Sequence, residues 1–135
     1  MRRLVSRLAR EERGSVAAEL VIATPLLLLL ILSVVQFAIW EHAIHVADAV
    51  AQQGLATARL QGSSAEAGKT QAESVLTQLG QSVLTDPSIA ATRTAANTTV
   101  TVTGHAESVI GLFSFPVQAV ASGPTEAYTT PGAAP

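Results

Sequence analysis

The feature that most restricts the fold is an uncharged apolar run over residues 20–40, LVIATPLLLLLILSVVQFAIW. At a helical rise of about 1.5 Å per residue the run reaches about 31 Å, which matches a hydrocarbon core of about 30 Å. A secretory signal has an apolar core of only about 7–15 residues, followed by a small-residue cleavage site. Here the run is longer, and Glu41 and His42 follow it. The sequence therefore predicts a membrane-spanning helix rather than a removable hydrophobic leader.

The charges on the two sides of this run are unequal. Residues 41–135 carry three basic and seven acidic residues, whereas five arginines precede the run. These are Arg2, Arg3, Arg7, Arg10 and Arg13. Because basic residues favour the cytoplasmic side, we expect a single-pass protein of the cytoplasmic (inner) membrane with its C-terminal part outside the cytoplasm. Topology then explains the basic N-terminus, so we expect no nucleic-acid partner. The absence of cysteine excludes disulfides and thiolate chemistry.

Helical spacing continues beyond the apolar run. Small and apolar residues recur on one face of the following segment, at Ile44, Ala47, Ala51, Leu55 and Ala58. Small residues of this kind permit close helix packing. The pattern predicts one long helix from about residue 16 to about residue 60, which Gly54 weakens but does not end.

A second helix is expected to begin at the sequence SSAE, residues 63–66, which has the S-x-x-E spacing of a capping box. Its apolar face comprises Ala72, Val75, Leu76, Leu79 and Val83, and Asp86-Pro87 is expected to end it.

Two later segments alternate in the manner of strands. NTTVTVTG begins at Asn97, and FPVQAVAS places Val117, Ala119 and Ala121 on one face and Val120 on the other. The predicted fold class is therefore α+β: a long N-terminal membrane-spanning helix continuing outside the membrane, a second helix, and a small antiparallel sheet of two or slightly more strands. Two strands alone are marginal in water, so they must pack on the second helix or on partner chains.

The predicted organisation has four parts. Residues 1–14 form a basic cytoplasmic leader, and residues 15–60 form the long helix. Residues 61–122 form the exported α+β domain. Residues 123–135, GPTEAYTTPGAAP, lack any apolar period and are expected to form a disordered tail.

Glu19 is an unusual residue to find at the edge of a membrane span. An acidic side chain at mid-span costs about 2.5–3.5 kcal/mol on insertion scales, and less near the interface. Glu19 is either solvated among the lipid headgroups or paired with a cation. If the chain were cut after Gly14, Ser15 would gain a free α-amine one helical turn from Glu19. The sequence alone leaves both interpretations open.

The stretch EERGSVAAELVIATPLLLLLILSVVQFAIW, residues 11–40, resembles the N-terminus of TadE-like proteins, the minor pilins or pseudopilins of tight-adherence (Flp-type, type IVb-like) pilus systems. PVQAVASGPTE, residues 116–126, is similar to the closing strand and Gly-Pro-x-Glu end of that family. The resemblance implies that a prepilin peptidase cuts between Gly14 and Ser15, and that Glu19 helps to register subunits during assembly. The implied partners are other pilins or pseudopilins, inner-membrane pilus assembly proteins, the peptidase and the lipid bilayer.

Pro25 lies inside the predicted span and removes a backbone hydrogen bond to Val21, so we expect a kinked or loosened helix there. Membrane helices also tolerate proline without any special role. A pilin would use this loosening when it packs into a filament.

Several side chains outside the apolar run could suggest a metal-binding or catalytic site. Glu41, His42 and His45 lie close in sequence, but they lack H-E-x-x-H spacing, so we expect no metal and no cofactor. We find no catalytic constellation and expect a structural protein rather than an enzyme. Phe113 and Phe115 could form an exposed patch for a partner or a plug under the hairpin.

Two functions remain from these observations. The first is a prepilin-like minor pilin or pseudopilin that is processed after Gly14. The alternative is an unprocessed single-pass scaffold or assembly factor of the pilus or secretion machinery, which keeps its basic leader.

Overall fold

The computed structural model describes residues 2–80, 82–111 and 113–127, with side chains described from Val16 onward except at Gly80. The chain divides into two compact units, Met1–Gln36 and Phe37–Pro135. The elements follow the order α1 (Arg2–Ala58), α2 (Ala65–Gly80), β1 (Leu84–Arg93), β2 (Asn97–Ala106) and β3 (Phe115–Pro124). The predicted α+β fold with a long first helix is confirmed, and the sheet has three strands among the described residues.

Helix α1 begins at Arg2, well before the predicted start near residue 16, and ends at Ala58, close to the predicted end. The early start has a simple reason, because residues 2–13 consist largely of Arg, Leu, Ala and Glu, which are good helix formers. A single glycine at position 14 costs only about 1 kcal/mol relative to alanine, which is too little to end a helix supported on both sides.

Within the first unit, the described side chains of α1 suit an apolar surrounding. Leucines 26–30 are all more than half exposed, with no protein core to cover them. The hydroxyls of Thr24 and Ser33 donate to the carbonyls of Leu20 and Leu29, both at 2.7 Å, so these polar groups are satisfied within the helix. Over Val16–Ala58 the helix is long and apolar enough to cross a membrane.

Helix α2 is capped one residue later than the sequence predicted. The backbone N–H of Ala67 donates to the Ser64 hydroxyl at 3.1 Å, so Ser64, not Ser63, is the N-cap. Glu66 still lies in the first turn, where a carboxylate favours the helix dipole. Ala72 and Leu76 are buried as predicted, whereas Leu79 remains about half exposed.

Strand β1 corrects the predicted extent of the second helix. The helix ends at Gly80, and Asp86-Pro87 lies inside β1 instead of closing α2. The β1–β2 register shifts between Thr85 and Ser88, which leaves two residues of β1 opposite Gly104. This is a β-bulge, and Asp86 adopts a positive φ of 48° within it. Because β1 is an edge strand, a proline at a bulge is tolerated.

The sheet is antiparallel in the order β1-β2-β3. The two predicted strands are confirmed: Val100 and Val102 on β2 are fully buried, and Val117, Ala119 and Ala121 on β3 face the same side. Val120 points to the other face and is 53% exposed.

The core lies between the buried face of the sheet and both helices. Its buried members are Ala43, Val46, Ala47, Val50, Ala51, Leu55 and Ala58 on α1, Ala72 and Leu76 on α2, and Leu84, Val100, Val102, Ala106, Val117, Ala119 and Ala121 on the strands. The compact unit begins at Phe37, because the sheet needs the end of α1 to bury its apolar face.

The end of β3 is also later than predicted. The strand continues through Gly123 to Pro124, where the sequence predicted the tail to have begun. The backbone N–H of Thr125 then donates to the carbonyl of Ala96 at 3.2 Å, and the backbone N–H of Glu126 donates to the carbonyl of Arg59 at 2.9 Å. The rest of the predicted tail, residues 128–135, lies outside the described residues.

Candidate assembly and processing site

The predicted processing site, Gly14-Ser15, lies within helix α1, although the side chain of Ser15 is outside the described part. A protease must hold the scissile peptide in its active site, so a helical bond has to unwind before it is cut. Glycine makes this opening easier, because it lowers helix stability by about 1 kcal/mol relative to alanine. The local chemistry at position 14 therefore favours transient opening inside an otherwise helical segment.

Glu19 is exposed on α1. It forms no ion pair with any side chain that the structure describes. Its carboxylate stands four positions after Ser15, a spacing of about one helical turn. This carboxylate can accept hydrogen bonds from an ammonium group, and no described side chain competes for it.

Pro25 lies in the interior of α1, which continues past it. Proline has no N–H, so the carbonyl of Val21 lacks its usual helical donor. A separate apolar surface groove of about 470 Å³ lies on another face of the same helix, bounded by Leu20, Ala23, Thr24, Leu26, Leu27 and Leu30. The groove can accept the apolar side chains of a neighbouring helix or lipid chains. A kink at Pro25 stays a prediction.

Beyond the span, Glu41 and His45 are one helical turn apart. His45 Nε2 lies 3.8 Å from Glu41 Oε2, and both side chains are well exposed. Among the described residues, no group of three or more His, Cys, Asp or Glu side chains is arranged to hold a metal ion. This pair therefore has the geometry of a solvated surface contact.

The two phenylalanines of GLFSF have different environments. Phe115 is half-buried and packs against the core, whereas Phe113 is 62% exposed. Their rings meet edge to face, with centroids 6.4 Å apart. Phe115 therefore fills space against the core, as a plug under the hairpin would, whereas Phe113 lies on the surface.

A group of hydrogen bonds and an ion pair at the end of α1 was not predicted from the sequence. The Arg93 guanidinium donates to the carbonyls of Ala58 and, at 2.7 Å, Leu60. Arg59 Nε lies 3.6 Å from Glu126 Oε1, while the Arg59 carbonyl accepts the Glu126 N–H. Thr125 adds hydroxyl bonds to Thr98 at 2.7 Å and to the Thr94 carbonyl at 2.9 Å. The Gly-Pro-x-Glu end of β3 thus ties the sheet to α1, and that motif was the signal available in the sequence.

Comparison with known proteins identifies the N-terminal segment. Residues 14–55 match the family model described as TadE-like protein, which is about a third of the chain. The match includes Gly14, Ser15, Glu19 and Pro25 and ends within α1. No curated protein and no solved structure matches the chain. The resemblance predicted from residues 11–40 is therefore confirmed for the membrane helix, and the sheet lies outside the matched segment.

Proposed function

We propose that this chain is a minor pilin or pseudopilin that takes part in assembling a tight-adherence type IV pilus. The observation that carries the proposal is the TadE-like match, because one matched segment contains the Gly14-Ser15 junction, Glu19 and the apolar span. The excess of arginines before the span favours a cytoplasmic N-terminus and an extracytoplasmic α+β domain.

Processing between Gly14 and Ser15 by a prepilin peptidase would give Glu19 a partner. Hydrolysis adds water across the peptide bond and leaves a carboxylate on Gly14 and an α-ammonium on Ser15. The ammonium then lies one turn from Glu19 on the same helix, or meets the Glu19 carboxylate of a neighbouring subunit. The exposure of Glu19 supports this role, because its carboxylate is open to an incoming cation.

The same helix offers a surface for other pilins. Its apolar side chains between residues 20 and 35 are exposed, so they can exchange lipid contacts for contacts with neighbouring helices. The apolar groove lined by Leu20, Ala23 and Leu27 would admit a neighbouring side chain. We expect other pilins and inner-membrane assembly proteins to be the partners of this surface.

The test is the intact mass and N-terminal sequence of the protein from membranes of a host with the matching peptidase. We expect a chain beginning at Ser15, and a chain beginning at Met1 in a matched host whose peptidase is inactive. Replacing Gly14 with leucine should block the cut in the active host, because the larger side chain obstructs the protease and strengthens the helix. A Met1 terminus in both hosts would overturn the processing proposal.

The second candidate is an unprocessed scaffold or assembly factor of the pilus or secretion machinery. The continuous helical backbone of α1 from Arg2 through Gly14 favours it, because a helix presents no extended peptide to a protease. A Met1 terminus, together with co-purification of pilus components, would support this function.

A further inference from the structure

The connection between β2 and β3 has an unusually apolar sequence for an exposed loop. We define the β2–β3 loop as residues 107–114, ESVIGLFS; after Glu107 it carries no charge. Val109 is 50% exposed and Phe113 is 62% exposed, whereas Ile110 is half-buried. Leu112 belongs to the same stretch but lies outside the described residues. Exposed apolar side chains grouped in one loop indicate a contact surface.

The described residues of this loop form specific local contacts. The N–H of Gly111 donates to the Ser108 hydroxyl at 3.1 Å, and Gly111 adopts a φ of 66°, which suits glycine in a tight turn. Phe113 rests edge to face against Phe115, which packs on the core. Phe113 is therefore held by a contact with a residue that packs on the core, while its own ring remains largely exposed.

The position of the loop follows from Trp40. The indole Nε1 of Trp40 donates to the carbonyl of Pro116 at 3.1 Å, two residues after the loop ends. Trp40 is also the last residue of the uncharged run over residues 20–40. The ring of Phe37 meets that of Trp40 edge to face at 6.0 Å. Tryptophan at the end of a span is typical of the membrane–water interface. The end of the loop therefore lies close to Trp40, the residue that we expect at the membrane–water interface.

The other end of the sheet provides a contrast. The β1–β2 turn, residues 94–96, lies at the opposite end of β2, which spans ten residues, or roughly 30 Å. Its sequence, TAA, has no large apolar side chain. The exposed apolar character is thus concentrated at the end of the sheet nearest Trp40.

We propose that the β2–β3 loop is a second membrane contact, which inserts its described residues Val109 and Phe113 into the lipid interface. A bilayer surface is the occupant that the structure favours, because Pro116, just after the loop, is hydrogen-bonded to Trp40 at the end of the apolar run. Aromatic and aliphatic side chains at this depth gain from leaving water, while their loop backbone stays among the headgroups. The contact does not depend on whether the N-terminus is cut or on which side of the membrane the sheet lies.

The test uses the full chain reconstituted in vesicles of phosphatidylcholine and phosphatidylglycerol. Because the chain has no cysteine, Ser114→Cys introduces a single labelling site next to Phe113. An environment-sensitive fluorophore there should emit at shorter wavelength and lose much of its emission in vesicles with brominated acyl chains. The same label at Ala95→Cys, in the distant turn, should be quenched by aqueous iodide and not by the brominated lipid.

Two further substitutions separate the lipid contact from other causes. Phe113→Ser in the labelled Ser114→Cys chain should abolish most of the lipid quenching. Val120→Ser is the matched control, because it removes a similarly exposed apolar side chain from the middle of β3 and should leave the quenching unchanged. Equal exposure of both labels to iodide would overturn the proposal. Shielding of the Ser114→Cys label only in membranes that hold other pilus proteins would also overturn it, and would assign the loop to a protein partner.

Discussion

Gly68 lies where α2 crosses the C-terminal part of α1, and its missing side chain sets how closely the two helices approach. A Cβ at Gly68 would collide with Ala58 Cβ and stand 2.7 Å from the carbonyl oxygen of Gly54. A Cβ at Gly54 would lie 3.0 Å from Ala72 Cβ. Both helices thus use small residues at the crossing, which confirms the small-residue stripe on α1. The reason for glycine at these two positions appears only in the packing.

Gly68→Ala is expected to destabilise the Phe37–Pro135 unit. Alanine gains about 1 kcal/mol of helix propensity, but overpacking against backbone and Ala58 costs about 1–3 kcal/mol. The obstacle includes a carbonyl oxygen that cannot rotate away, so the clash should dominate. Urea unfolding of the full chain, followed by the fluorescence of its single tryptophan, Trp40, measures the difference. Thr70→Ala, at an exposed position of α2, is the control, and a midpoint for Gly68→Ala at or above that of the unsubstituted chain would contradict the prediction.

Arg93 shows why some important residues escape a sequence reading. Its alternation on β1 indicates only a half-buried strand position. In the folded chain it reaches the carbonyl of Ala58, the last residue of α1, and the carbonyl of Leu60 just beyond it, 35 and 33 positions away along the sequence. A cation at this place favours the helix dipole. No local pattern links a strand arginine to a helix end so far away.

At the scale of elements, strong periodicity was predictable and local exceptions were not. Strands β2 and β3 alternate cleanly, and α1 keeps its helical stripe, so each was recognised, although α1 begins earlier and β3 ends later than predicted. Strand β1 was missed because Asp-Pro is typical of a helix end. The bulge at Asp86 accommodates that proline on an edge strand, and bulges are set by pairing with β2 rather than by the β1 sequence. The early start of α1 is the reverse case, because Gly14 does not begin or end the helix when good helix formers precede it.

Pro25→Ala tests the role of proline in α1. Alanine restores the donor to the Val21 carbonyl and removes an interior-helix penalty of about 3 kcal/mol. We expect amides in the turn around residues 21–25 to exchange more slowly with deuterium in the reconstituted protein. Leu30→Ala is the control, because it shortens a side chain of the same helix without changing its backbone bonds. Unchanged exchange in Pro25→Ala would show that the proline does not loosen the helix.

At the scale of the whole molecule, the chain combines a helix whose residues 14–55 match the TadE-like family model with a sheet that lies outside the matched segment. The candidate site is linear, since Gly14, Ser15, Glu19 and Pro25 all lie on α1, and for that reason the sequence could propose it. The β2–β3 loop could not be proposed as a membrane contact, because its nearness to Trp40 depends on the hydrogen bond to Pro116. A site whose residues all lie on one helix can be predicted from the sequence. A site that depends on the contact between Trp40 and the start of β3 can be found only in the folded structure.

Glu19→Ala addresses the assembly function directly. Because Glu19 is exposed and has no ionic partner among the described side chains, its loss should not disturb membrane insertion or the Phe37–Pro135 unit. If the chain is cut after Gly14 as proposed, its loss should instead remove the partner of the new Ser15 ammonium. A charge-assisted hydrogen bond contributes about 1.5–3 kcal/mol, which corresponds to about a tenfold or greater loss of subunit recruitment.

Cross-linking of the membrane-embedded chain to other pilus subunits measures this recruitment. Glu41→Ala is the matched control, since it removes a carboxylate from the same helix beyond the other end of the span, where no new amine can form. Cross-linking should fall for Glu19→Ala and stay near the unsubstituted level for Glu41→Ala, with both chains cleaved after Gly14. Equal loss in the two variants would indicate a general effect of charge on the helix. Normal cross-linking of a cleaved Glu19→Ala chain would count against the pairing role, because the subunit would then have joined the assembly without that carboxylate.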